Sequence, residues 1–92
     1  MRIIWSDEAI EDFEQNLDYI FENWNERVAN DFVIETEQTL KIILTMPNAF
    51  RKNVVENVHL ATITKHITLI YQISNDSIEL INFFNNFQKP KE

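Results

Sequence analysis

ITKHITLIYQISNDSIELINFFNNFQKP, residues 63–90, contains two apolar alternations separated by a polar turn. Ile67, Leu69, Tyr71 and Ile73 recur at every second position, and Ile78 and Leu80 repeat the pattern after the turn. A period of two is the mark of a strand with one buried face. The spacing predicts strands at about 67–73 and 78–84, preceded by another at about 57–64. The connecting turn, Ser74-Asn75-Asp76-Ser77, has no glycine. Asn75 and Asp76 are the residues there best able to adopt positive φ. Beyond the last strand, Pro90 blocks further pairing and predicts an irregular tail.

Upstream the period changes. Arg2 to Trp5 form a short strand candidate, and Ser6 is placed to cap a helix whose first turn holds Asp7 and Glu8. Carboxylates there complement the helix dipole. Trp5 and Ile10 hold the two positions of a hydrophobic staple. Ile10, Phe13, Leu17, Ile20, Phe21 and Trp24 recur at helical spacing and predict a helix over 7–23. Asn25 is the next N-cap candidate, with Trp24 beside it assigned to packing. Val28, Phe32, Thr36, Leu40, Ile43 and Leu44 form the stripe of a second helix, which Pro47 ends. So short a connection makes the two helices an antiparallel hairpin. Residues 48–56 read as a loop carrying Arg51 and Lys52.

The expected fold is α+β in one domain over residues 1–92. It has an N-terminal strand, an antiparallel two-helix hairpin and a C-terminal three-stranded antiparallel meander. Ile10, Phe13, Leu17, Phe32, Leu40, Leu69, Tyr71 and Leu80 are the expected core. A chain this short buries only about 60–65% of its unfolded surface, so that core has to be efficient.

Composition removes several classes of function. The chain has no cysteine, hence no disulfide, thiolate metal site or cysteine nucleophile. It also has no glycine, which phosphate-binding loops, dinucleotide fingerprints and nucleophile elbows require. His59 and His66 lie seven apart with Glu56 nearby, a spacing that matches no standard metal site, and no cofactor is expected. No run approaches the roughly 20 apolar residues of a membrane span, and a cytoplasmic location is expected. The net charge of −7 is uneven: residues 1–46 hold three basic and eleven acidic side chains, residues 47–92 five and four. An acidic surface repels phosphate and argues against direct nucleic-acid binding, except by the second half.

The segment KHITLIY, followed by IELINFF, then Asn85-Asn86, Gln88 and Pro90, resembles the RelE/ParE superfamily of bacterial toxins. The order β-α-α-β-β-β is also that of the superfamily, so the resemblance spans nearly the whole chain. It implies the toxin of a type II toxin–antitoxin module, with a role in plasmid stabilisation. The implied partner is a cognate antitoxin that wraps the hairpin and sheet, and the implied targets are DNA gyrase or the ribosome.

Superfamily members that cleave messenger RNA on the ribosome hold the scissile phosphate with Arg and Lys on the sheet, helped by a C-terminal His, Glu or Tyr. This chain departs from that pattern. Its strand over 57–64 has no Arg or Lys, and the ending D-N-R-Q-x-P is replaced by Asn85-Asn86-Phe87-Gln88-Lys89-Pro90. An apolar ring thus stands where relatives carry a phosphate-binding fork. The departure favours a ParE-like or activity-attenuated member that binds its target. The alternatives are a ribosome-dependent mRNA endonuclease, using Lys65, His66 and Lys89, and a non-toxic module kept for its antitoxin contact. Arg51, Lys52 and Phe87 are the candidate partner-binding residues, Phe87 as an exposed aromatic anchor. Of Phe83 and Phe84, which point to opposite faces, one belongs to the core and the other is open to a partner.

Overall fold

A computed structural model describes residues 1–85. The elements run β1 (Arg2–Trp5), α1 (Asp7–Asn23), α2 (Glu26–Thr45), β2 (Arg51–Asn53), β3 (Val58–Thr64), β4 (Ile67–Ile73) and β5 (Ser77–Asn85). The strands make one sheet in the order β1-β5-β4-β3-β2. The meander β3-β4-β5 is antiparallel, with Leu69 opposite both Ala61 and Phe83. Strand β1 adds to β5 in parallel, Trp5 opposite Leu80.

Alternation along β4 decides which face is covered. Ile67, Leu69 and Tyr71 are buried under the helices, while Thr68, Ile70 and Gln72 are only partly covered on the other face. Helix α1 lies along β5 and α2 along β3. Between them, Trp5, Phe13, Phe32 and Phe83 form an aromatic cluster with ring centroids 5.1 to 6.5 Å apart. Edge and offset contacts of this kind add to the stabilisation from area burial. The expected division of labour between Phe83 and Phe84 is observed: Phe83 is buried and Phe84 is 54% exposed.

Both helices start on the expected caps. The Ser6 hydroxyl accepts from the Ala9 N–H at 3.0 Å and donates to the Ile81 carbonyl at 2.9 Å, so one side chain starts α1 and ties it to β5. Asn25 accepts from the Val28 N–H at 2.9 Å and turns the chain directly into α2.

Four details differ from the sequence expectation. Ile10 is 42% exposed, Phe21 56% and Trp24 49%, and Val28 and Leu44 are exposed too. The inward row of α1 is Ala9, Phe13, Asn16 and Ile20, which includes one small and one polar residue. A count of large apolar side chains passes over both and selects the flanks of the stripe instead. The second is the staple position: Trp5 packs edge-on to Phe13, 5.5 Å away, while Ile10 is largely open to solvent. In the third case, Arg51–Asn53 pairs with β3 as a fourth antiparallel neighbour, where a loop was expected. Three exposed polar residues on a sheet edge leave no hydrophobic alternation to read. Finally, Asn75 and Asp76 keep negative φ. Among the described residues the positive φ belongs to Asn57, at 57°, before β3. Its carbonyl accepts from the Gln72 side chain at 3.0 Å, which helps hold that conformation.

Candidate functional site: a groove between the hairpin and the β3–β4 turn

Lys65 and His66 form the turn between β3 and β4. They face the far end of the helical hairpin across a groove of about 420 Å³. Ile20, Trp24, Val28 and Phe32 make its apolar floor and sides. Asp31 and Glu35, one turn apart on α2, put two carboxylates on one wall, and Lys65 with His66 supplies the opposite wall. The Thr64 hydroxyl accepts from the N–H groups of His66 and Ile67, both at 3.2 Å, and fixes the turn that presents Lys65.

Arg51 and Lys52 lie elsewhere. They stand on β2 opposite Leu60 and His59, at the other end of β3 from Lys65. Lys65 comes six residues after His59, about 20 Å along an extended chain. The cations nominated from the sequence are therefore split between two places. Phe87 and Lys89 lie outside the described residues.

The two histidines differ in kind. His59 is buried and stacks on Tyr71, with ring centroids 5.1 Å apart. Its Nδ1 has no hydrogen-bond partner. Burial, and then the positive charge of Lys52, hold its pKa below the usual imidazole value, so the ring is kept neutral. Tyr71 donates its hydroxyl proton to the Pro47 carbonyl at 2.7 Å, and burial pushes its pKa up to about 12. Neither group reaches solvent to act on a substrate. Together they lock β3 and β4 to the segment following α2. His66, by contrast, is partly exposed at the groove.

Chemically, the groove suits an apolar side chain flanked by positive charge better than it suits a phosphate. Among the described residues, no group of three His, Asp or Glu side chains is placed to hold a metal ion. No helix among them is long and apolar enough to cross a membrane.

Residues 3–85 match the family model of the ParE toxin of the type II toxin–antitoxin system, parDE. The chain belongs to the ParE toxin family. Solved structures with the same fold include the chromosomal ParDE system from P. aeruginosa, at 17% identity and a TM-score of 0.78, covering 92% of this chain and 95% of that one. A YoeB/ParE toxin from Agrobacterium tumefaciens is similar at 15% identity and a TM-score of 0.68, covering 92% and 98%. The YoeB–YefM complex from Staphylococcus aureus follows at 18% and 0.62, covering 89% and 92%. A search of curated proteins finds no match. The ParE assignment agrees with the superfamily resemblance of the C-terminal strands.

The groove itself was missed in the sequence. Trp24 and Val28 were counted as packing, yet both are exposed on it, and Asp31 and Glu35 looked like any other solvated helix charges. The only available signal was the excess of large apolar residues over what a single helical stripe can bury.

Proposed function

We propose that this ParE-family chain is a toxin that acts by binding a cellular target, without phosphoryl chemistry of its own, and that a cognate antitoxin neutralises it. The observation that carries this reading is the separation of the cations. Arg51 and Lys52 sit at one end of β3, Lys65 and His66 at the other, and two carboxylates share the groove with the second pair. Cleaving a phosphodiester requires several donors converging on one developing charge. Binding a protein requires only a complementary surface.

The free edge of β2 offers such a surface. Among the described residues Arg51–Asn53 is exposed and has β3 as its one strand neighbour, so an extended segment of the antitoxin can add to it as a further strand. Arg51 and Lys52 then set the charge preference of that segment towards Asp and Glu. Gyrase is the target favoured by the family, and the ribosome is the alternative. Induced expression with and without the adjacent small open reading frame tests the toxin and its neutralisation together. Supercoiling by purified gyrase and cleavage of messenger RNA on translating ribosomes then separate the targets. Growth arrest relieved by the neighbouring gene, with supercoiling lost and messenger RNA intact, is the expected pattern. Absence of arrest points to the non-toxic antitoxin-binding module.

A further inference from the structure

The turn between β2 and β3 departs from the usual turn chemistry of Gly, Pro, Asn, Asp and Ser. Its residues are Val54, Val55, Glu56 and Asn57, beyond the last strand pair, Asn53 opposite Val58. Val54 is 79% exposed and Val55 93%, more than any other large apolar side chain among the described residues. Valine is stiff and apolar, suited to a half-buried strand and poorly suited to a solvated turn. The turn is nevertheless held in one shape. The Asn53 side-chain oxygen accepts from the Glu56 N–H at 3.1 Å. Asn57 supplies the left-handed residue that returns the chain to β3, and its carbonyl accepts from the Gln72 side chain. A local choice that opposes its surroundings and gains nothing within the fold is expected at a functional position.

We propose that Val54 and Val55 are the anchor by which the chain holds its target, a protein whose surface offers a small apolar recess with an acidic rim. This rests on the reading of the chain as a toxin that acts by binding. Preorganisation supports it: valine has few rotamers to lose, and a turn fixed by Asn53 and Asn57 needs little further ordering. Charge supports the acidic rim. Arg51 stands opposite Leu60 on the open face of the sheet, and Lys52 opposite His59 on the helix side. A cation therefore flanks the tip on each side, and Lys52 is close enough to lower the pKa of His59. Residues 1–46 hold eleven carboxylates against three cations, so they repel the acidic partner that this tip admits. A nucleic acid fits less well, because valine has no ring to stack on a base. A membrane fits less well too: two valines bury little area, and a net charge of −7 opposes an anionic surface. An antitoxin strand added to β2 would run beside the tip, so antitoxin and target would exclude each other.

Induced expression of the full chain without the neighbouring gene tests the tip whatever the target is. Val54→Ser combined with Val55→Ser should raise the amount of chain needed for growth arrest about tenfold or more, because the apolar area buried at the contact is lost. Val54→Ile combined with Val55→Ile keeps the anchor apolar and should arrest growth at the parent's level. Arg51→Glu combined with Lys52→Glu should weaken arrest, since the pair would then repel an acidic rim. Amide spectra of the ¹⁵N-labelled serine variant should match the parent outside residues 51–58, which separates lost binding from lost fold. Arrest by the serine variant at the parent's level would remove the tip from the contact and leave the toxin reading standing. A parent that causes no arrest would overturn both. Arrest accompanied by cleaved messenger RNA would make the partner a nucleic acid, and parental self-association that the serine variant abolishes would make it a second copy. Either result overturns the proposal, as would chain-wide spectral change in the serine variant.

Discussion

The carboxylate of Asp12 accepts the backbone N–H of Phe83 at 3.1 Å, so a helix side chain takes the place of a neighbouring strand on β5. Strand β1 pairs with β5 only as far as Leu80, and α1 takes over from there. Asp12→Ala leaves the Phe83 N–H partly buried without an acceptor, which costs about 1–3 kcal/mol. Asp12→Asn keeps an acceptor oxygen and should cost less. Chemical denaturation measures both, and faster exchange of the Phe83 amide in Asp12→Ala assigns the effect to this bond.

Truncations in the core and on its flank should separate sharply. Leu69 and Leu80 are fully buried, and either one changed to Ala should lose about 2–5 kcal/mol. Ile10, on the flank of the α1 stripe, should stay within about 0.5 kcal/mol of the parent on the same change. A large loss at Ile10 would restore the staple to which the sequence assigned it.

Stability should fall on the acid side because of His59. Its pKa is lowered in the fold, so the unfolded chain takes up the proton first. The contribution is complete above the ordinary imidazole value of about 6.5 and is lost as pH falls below it. Replacing His59 by Phe should flatten this part of the profile in urea denaturation at a series of pH values.

Tyr71 acts at the other limit. Its phenol is raised from 10.0 to about 12, so its contribution is complete below pH 10 and is lost between pH 10 and 12. Tyr71→Phe removes that dependence and also leaves the Pro47 carbonyl without its donor. A Tyr71→Phe profile as steep as the parent's over this range would show that other groups govern alkaline unfolding.

Purified protein should leave messenger RNA intact on translating ribosomes. Among the described residues Lys65 and His66 are basic groups that border one groove, and Asp31 and Glu35 share it. Cleavage at defined codons that Lys65→Ala or His66→Ala abolishes would establish an endonuclease with this groove as its centre.

The helices and the meander were legible because each carries a local signal. Ser6 and Asn25 announce the caps, and period-two runs announce β4 and β5. Strand β2 was not legible, since its pairing with β3 is non-local and its three residues bury nothing. The left-handed residue was placed in the wrong turn: Asn and Asp tolerate positive φ at several sites, and only the closure of the chain selects one. Asn57→Gly should therefore be tolerated, whereas a β-branched residue there should cost about 1–2 kcal/mol.

By itself the sequence determined the α+β class, the element order, the placing of Phe83 and Phe84 on opposite faces, and the superfamily. All of these follow from periodicity, capping chemistry and the C-terminal motif along a contiguous chain. Tertiary structure decided that Ala9 and Asn16, and not Ile10 and Phe21, form the inward row of α1. It also decided that α1 side chains complete the edge of β5, and that Trp24, Asp31 and Lys65 border one groove. These depend on the rotation of each helix about its own axis over the sheet. Packing volume fixes that angle, and no local pattern encodes it.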